Sequence, residues 1–396
     1  MKKSVLILAM IATTMVSCSK DEITEFKSGE RISFRSDEMT RGTVPFNYSS
    51  FILGGAFYGA DNKMLMKDVT FTQVDGTNSY TSTNAAYWPA DGSEVSFYAY
   101  APEFMKSFNG SEPTVTVGTA SFSFTSSEKK LKGFDQPTYA LNHVDFVTAT
   151  ATGSKESSAN GVALTFKHQL AKIEIQAKQP TRSNYYFHVI GVRFCHVGCQ
   201  ADFDFTANDG IGRWSDCQNT RTYETTFPNM PRQYRIILSS AYKSIMDSRY
   251  DNSGDTNFGQ GDWMLIPQQL NNVWDPNTDK TNSKGGAYIA IYAQISTSND
   301  YYDSGSHLFP SPDVANYEWI AIPIPAVEWQ AGMKYTYQID FSNGFGYVDP
   351  EKTVTETDPF KPGELILGLC PKITVRSEAL GWETPDNPAN EETPSL

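Results

Sequence analysis

The sequence predicts an all-β protein arranged as two tandem β-sandwich domains. Three observations carry that prediction. Aromatic residues are plentiful, with 24 Phe and 21 Tyr, and extended strands favour them. Gly and Pro, at 28 and 21, are frequent enough to punctuate many short elements. Apolar and polar residues alternate over short runs, and no long amphipathic helix can be drawn. The length of 396 residues suits about two domains of ordinary size.

The chain starts with Lys2 and Lys3, then an apolar run over residues 5–11 that is too short to span a bilayer. Met15-Val16-Ser17-Cys18 follows. Basic start, apolar run and a small residue before a Cys, in that order, read as a lipoprotein signal peptide over 1–17. Cys18 is then the lipidated first residue of an exported chain. No second apolar stretch approaches membrane-spanning length, so the lipid is expected to be the anchor. Residues 19–30 are polar and acidic and read as a flexible tether. Ile32 and Phe34 alternate with Ser33 and Arg35, the pattern of a short half-buried strand. A polar stretch then ends at Thr40-Arg41-Gly42.

Strand patterns dominate from there. Phe51-Ile52-Leu53 and Ala56-Phe57-Tyr58 flank a glycine pair, and residues 69–72 and 95–100 follow. Val115 and Val117, with Phe122 and Phe124, form another alternating stretch, and residues 145–148 precede a Ser/Gly loop. A long strand is predicted from Val162, with Leu164, Phe166 and His168 on one face. After a bulge or bend near Gln169, Ile173, Ile175 and Ala177 share a face. Residues 179–184 are rich in turn formers and mark the domain boundary. Beyond it, residues 187–190, 234–238, 264–266, 288–295 and 335–341 read as strands. Tyr335, Tyr337, Ile339 and Phe341 lie on one face of the last. Residues 384–396 are rich in Pro, Asn and Glu and are expected to be a disordered tail.

The net charge of −13 argues against a nucleic-acid partner, which needs a face rich in Lys and Arg. Beyond Cys18 the cysteines are Cys195, Cys199, Cys217 and Cys370. The first three with His196 invite a zinc reading, but C-H-x-x-C with a distant third Cys is not a common zinc spacing. A local disulfide or buried free thiols are expected instead.

Several local patterns, in shared order, together resemble the fimbrillin family, the pilus subunits and pilus-like lipoproteins of Bacteroidales. They are the lipobox at Cys18, the stretch ending Thr40-Arg41-Gly42, Tyr87-Trp88-Pro89, and VSFYAYAP over 95–102. DFVTA over 145–149, VALTFKHQLAKIEI over 162–175 and MLIPQ over 264–268 follow. WQAGMKYTY over 329–337, GYVDP over 346–350 and the closing strand over 371–375 before Trp382 complete the set. The resemblance implies two transthyretin-like sandwiches, over 42–180 and 181–383, after a lipidated tether and removable first strand over 18–41. It also implies an outer-membrane, surface-exposed lipoprotein that joins a fimbrium. A protease cutting after Arg, at Arg41, would remove the strand bearing Ile32 and Phe34. The vacated groove would accept a strand from another pilin subunit. Ser19 to Glu22 resembles the acidic stretch that marks some such lipoproteins for surface export.

One departure from the family pattern concerns the donor. The polar tail cannot serve as a strand plug, so the candidate donor is the apolar stretch holding Ile366, Leu367, Leu369, Ile373 and Val375. If that stretch is instead a fixed last strand, the chain accepts but does not donate, which suits a tip or accessory position.

No catalytic constellation is found: G-x-S-x-G, H-E-x-x-H and P-loop patterns are missing and the five histidines are scattered. His168, beside Phe166 and Leu170, reads as a hydrogen-bonded structural histidine. Asp275, Asn277 and Asp279 imitate a calcium loop, but Lys280 and Gly286 stand where Gly and Glu are needed. No metal, cofactor or enzymatic role is expected. The rival reading is a carbohydrate-binding surface lipoprotein that does not polymerise. Its sugar-stacking faces would come from Trp88, Trp214, Trp263, Trp274, Trp319, Trp329 or Trp382. Trp274, in a polar loop, is the best exposed candidate. A host or bacterial surface glycan or protein is the expected adhesive target.

Overall fold

The computed structural model describes residues 29–36, 48–102, 120–138, 140, 143–180, 184–226, 235–246, 262–300, 306–310, 316–354, 356, 358–368 and 370–379. Among these residues there are strands but no α-helix. In chain order they are β1 (Phe34–Ser36), β2 (Ser50–Tyr58), β3 (Lys63–Gln73), β4 (Ser79–Thr81), β5 (Val95–Ala101), β6 (Ser121–Phe124), β7 (Lys129–Asp135), β8 (Val147–Gly153), β9 (Val162–Leu164) and β10 (Lys167–His168). There follow β11 (Ala171–Lys178), β12 (Tyr186–Gly198), β13 (Gln200–Asp204), β14 (Arg213–Trp214), β15 (Thr220–Thr226), β16 (Ile236–Ile237), β17 (Lys243–Ser244) and β18 (Trp263–Leu265). The series ends with β19 (Gln269–Leu270), β20 (Tyr288–Ser296), β21 (His307–Phe309), β22 (Glu318–Pro323), β23 (Val327–Glu328), β24 (Met333–Asp340), β25 (Tyr347–Val348) and β26 (Lys372–Ala379).

An eight-stranded sheet has the order β10-β8-β5-β2-β3-β4-β1-β9. Its two end strands, β9 and β10, are separated in sequence only by Thr165 and Phe166. The sheet therefore curls until its ends are joined by one short corner, and a core of Phe51, Phe71, Tyr80, Phe97, Trp88 and Phe166 fills the inside. The glycine pair does not separate two strands. β2 runs straight through it, with a register shift against β5 between Leu53 and Gly55. A Cβ on Gly54 would lie 2.1 Å from the Phe124 ring, so the missing side chain lets β6 pack on β2.

The long strand predicted from Val162 is three strands. β9 pairs with β1, β10 with β8, and β11 with β17, β18 and β24. The expected alternation holds all the same, because Val162, Leu164, Phe166 and His168 are buried while Thr165 and Lys167 are exposed. The chain keeps one inward face while it passes from one end of the sheet to the other.

Beyond residue 170 two sheets face each other. β17-β11-β24-β26, with β18 beside β11, forms one; β15-β12-β20-β22-β25, with β16 and β21, forms the other. Ile173, Ile175, Tyr337 and Ile339 from the first meet Phe187, Val192, Phe194, Ile289 and Ile291 from the second in one core. Trp263 and Trp329 fill its centre, and the Trp329 indole N–H donates to the Tyr337 hydroxyl at 3.0 Å. Tyr335, Tyr337, Ile339 and Phe341 all point into it, as their spacing predicts.

A four-stranded sheet, β14-β13-β7-β6, joins the two parts. β13 and β14 follow residue 180, yet they pair with β7 from before it. Phe203, Phe205 and Trp214 thereby share a core with Ile52, Tyr100 and Phe146. The hairpin at 200–214 thus packs with the N-terminal strands, across the expected boundary at 180.

Candidate functional site

The strand bearing Ile32 and Phe34 is seated inside the curled sheet. β1 lies between β4, to which it is antiparallel, and β9, to which it is parallel. Phe34 stands opposite Tyr80 on one side and Val162 on the other. Ile32 and Phe34 are each only 1% exposed. The Phe34 ring meets Phe51, Phe71 and Phe97 edge-on at centroid distances of 5.6, 4.7 and 5.1 Å. The alternation Ile-Ser-Phe-Arg is what allows this: two inward side chains two residues apart, with polar neighbours between them.

Backbone contacts extend the seat beyond the strand. Ile32 N–H donates to the Ala86 carbonyl at 2.9 Å and Ser36 N–H to the Asn78 carbonyl at 3.0 Å. In return, Val162 N–H donates to the Ser33 carbonyl at 2.9 Å and Trp88 N–H to that of Glu30 at 3.1 Å. The Arg31 guanidinium donates to the carbonyls of Thr83 and Ala85 and lies over the Tyr87 ring. Gly161, at φ +87°, brings its backbone against β1: a Cβ there would sit 3.2 Å from the Phe34 carbonyl carbon. That position needs glycine both for its left-handed φ and for the close approach.

The candidate donor stretch is divided in two. Ile373 and Val375 lie on β26, an edge strand in antiparallel register with β24 from Lys372↔Asp340 to Ala379↔Met333. Ile366 is fully buried in the second core, whereas its neighbours Leu365 and Leu367 are 46% and 47% exposed. Leu367 also has a φ of +50°, unusual for a branched residue. Cys18, Arg41, Leu369, Trp382, the signal segment and the tail lie outside the described residues.

The other singled-out residues are dispersed. Cys195, Cys199, Cys217 and Cys370 are free thiols. Cys195 packs with Trp274 and Tyr288, while Cys199 faces the second core. His196, at a bulge with φ +57°, is engaged by the Glu351 carboxylate, which raises its pKa against the opposing effect of burial. No cluster of three or more metal-ligating side chains occurs among the described residues. His168 Nδ1 lies 2.7 Å from Asp145 Oδ1, a hydrogen-bonded pair at the corner where β10 meets β8.

Trp274 differs from expectation: it is 2% exposed, and its indole N–H donates to the Asp279 carbonyl at 2.7 Å. The polar residues around it are used within the loop. The Asp279 carboxylate accepts the N–H groups of Ser283 and Lys284, and the Asn282 side chain bonds Gly286 from both ends. Trp88 and Trp329 are buried, and Trp319 carries the Arg193 guanidinium 3.8 Å from its ring centroid.

A family model described as fimbrillin-like matches residues 55–358. The fimbrium subunit Fim1C of Phocaeicola vulgatus is 24% identical over 199 residues, covering 42% of this chain and 49% of its own length. The chain thus spans about half the length of that curated relative. Among solved structures, a fimbrial protein from Bacteroides vulgatus is 16% identical with a TM-score of 0.47, covering 89% of this chain and 100% of its own. A cell-adhesion candidate from Bacteroides ovatus is 15% identical with a TM-score of 0.43, covering 91% and 100%.

Proposed function

Because the chain belongs to the fimbrillin-like family, we propose that it is a structural or adhesive subunit of a cell-surface fimbrium. In this reading it is exported, lipidated at Cys18 and held on the outer membrane. It is built as two transthyretin-like sandwiches, divided near residue 180 apart from the 200–214 hairpin. An Arg-specific protease then cuts after Arg41. The cut frees the segment that contains β1, and a strand from another subunit takes its place.

The observation that carries the proposal is the seat of β1. An edge strand could be lost with little consequence. β1 has a neighbour on each side, so its loss strips backbone partners from both β4 and β9. It also uncovers the pocket that holds Ile32 and Phe34. Burying two such side chains is worth about 3–6 kcal/mol in all. An incoming strand recovers both contributions at once, and while β1 is present the site is closed to other subunits. Assembly then follows the cut in time.

The test is to treat the soluble chain with limiting Arg-specific protease, beside an Arg41→Ala control, locating the cut by mass spectrometry and assembly by gel filtration and electron microscopy. A cut after Arg41 followed by SDS-resistant oligomers supports a self-polymerising subunit. The same cut with monomers alone supports a tip or accessory subunit that needs a partner's strand. If the folded chain is not cut at Arg41, the strand-release mechanism fails.

A further inference from the structure

A cleft of about 450 Å³ opens between the 214–220 turn, which follows β14, and the 267–272 segment around β19. Its lining is dominated by side-chain amides: Gln218, Asn219, Gln268, Gln269, Asn271 and Asn272. Three of these hold the walls. Gln268 bridges Gly198, accepting its N–H at 2.9 Å and donating to its carbonyl at 3.0 Å. Asn219 donates to the Gln200 amide oxygen at 2.6 Å, and Asn272 to the Lys284 and Gly285 carbonyls at 3.1 Å. The other three differ. The side chains of Gln218, Gln269 and Asn271 are exposed and make no hydrogen bond to any described residue. Each presents a donor and an acceptor to the cleft.

We propose that this cleft is a binding site for a neutral saccharide. A primary amide offers N–H and C=O side by side, which matches a pair of adjacent sugar hydroxyls. The fixed amides give the free ones a rigid frame. Trp214 contributes an apolar edge, itself held by Phe134 and Phe203 and by an indole N–H bond to the Gln169 carbonyl. No Lys or Arg lines the cleft; His196 does, but its ring is paired with the Glu351 carboxylate, and Asp216 is exposed in the wall. Anionic sugars, nucleotides and phosphates therefore find no unpaired counter-charge. Apolar ligands would strand the amides unpaired. The volume lies at the lower end for ligand sites, suiting one or two sugar rings at the end of a chain.

Binding by one such open cleft is weak, and it does not depend on the fimbrial reading. If the subunit repeats along a fibre, many weak sites act together on a glycan-coated surface and avidity supplies the strength.

The experiment is saturation-transfer NMR on the purified, uncleaved full chain. The probes are lactose, N-acetyllactosamine, cellobiose and maltose, with sialyllactose as the anionic comparison. At least one neutral sugar is expected to receive saturation, and sialyllactose less than lactose. In a Gln269→Ala/Asn271→Ala variant with unchanged melting temperature, affinity should fall about fivefold for each hydrogen bond removed. Saturation of none of the neutral probes, an undiminished signal in the variant, or stronger transfer to sialyllactose than to lactose overturns the proposal. Because the chain is uncleaved, failure here leaves the strand-release mechanism untouched.

Discussion

Truncating Phe34 to Ala probes the seat of β1 directly. The ring is 1% exposed and meets three other phenylalanines edge-on. Removing a fully packed phenyl costs about 3–5 kcal/mol, from lost burial and from the cavity left behind. β1 itself is only three residues long, so little else compensates. Taking 4 kcal/mol as the middle of that range, the ratio of docked to undocked β1 should fall by about three orders of magnitude. Hydrogen exchange followed by mass spectrometry on the peptide containing residues 29–36 reads this ratio, because the Ile32 and Ser36 amides are bonded across the seat. A loss below about 1 kcal/mol would refute the claim that β1 plugs the sheet.

Gly161→Ala should weaken the same seat by about 1 kcal/mol or more, read as a lower melting temperature of the uncleaved chain, because φ is +87° and the new Cβ meets β1. Val375→Asp places a carboxylate at a position 8% exposed on β26 and should destabilise the chain by about 3 kcal/mol in denaturant titration. His143 should make stability depend on acid. Burial, aided by nearby Arg221 and opposed by the hydrogen bond to the Pro137 carbonyl, pushes its pKa down to about 4. The unfolded chain then binds the proton first. This contribution is complete above about pH 6.5 and is lost as pH falls towards 4, at most about 3 kcal/mol. In His143→Gln that part of the slope should vanish, and parallel wild-type and variant profiles would contradict the assignment. Burial pushes the Cys199 and Cys370 thiols up to about 11 and Cys217 to about 12, so maleimide at neutral pH should label them far more slowly in the native than in the unfolded chain.

Alternation made the inward faces of β11 and β24 readable, because each strand sets an apolar face against a polar one, even though the polar face of β24 is itself covered at Thr336 and Gln338. It also placed Ile32 and Phe34. It did not reveal that residues 162–178 pass from one end of the eight-stranded sheet to the other and then into a second sheet, since the corner at Thr165 and Phe166 preserves the inward phase. β15 and β7 escaped for another reason. TRTYETT and KKLKGFD carry few apolar side chains, and the buried Lys129 lays its amine 4.2 Å from the centre of the Phe57 ring, at a place where sequence alone would put it in water. Trp274 was placed wrongly because a polar loop looks solvated, whereas Asp279 and Asn282 direct their polarity inward to fold the loop over the indole. The amide-lined cleft left no linear signal, as its free amides come from segments some fifty residues apart, at Gln218 and at Gln269 and Asn271.

The geometry of β1 also constrains whatever replaces it. The new strand must run parallel to β9 and antiparallel to β4, and must direct two apolar side chains, two residues apart, into the pockets of Ile32 and Phe34. Within the candidate donor stretch, three pairs have that spacing: Leu365 with Leu367, Leu367 with Leu369, and Ile373 with Val375; of these, the first and last lie wholly within the described residues. Their availability differs. Ile373 and Val375 are held by β26, registered to β24 along its whole length, and freeing them breaks that ladder and opens the second core. Leu365 and Leu367 already face solvent, and their segment is tied to β25 by the Leu365–Tyr347 bridge and by three backbone bonds: Gly363 N–H to Val348, Val348 N–H to Glu364 and Ile366 N–H to Gly346. The difficulty for this pair is Ile366, fully buried between them, which must leave its core before the segment can extend. Withdrawing such a side chain costs about 1.5–3 kcal/mol, less than the burial two leucines regain in a vacated seat. On the proposed strand-release mechanism, burial would thus favour exchange through Leu365 and Leu367 once β1 has gone and oppose it while β1 remains.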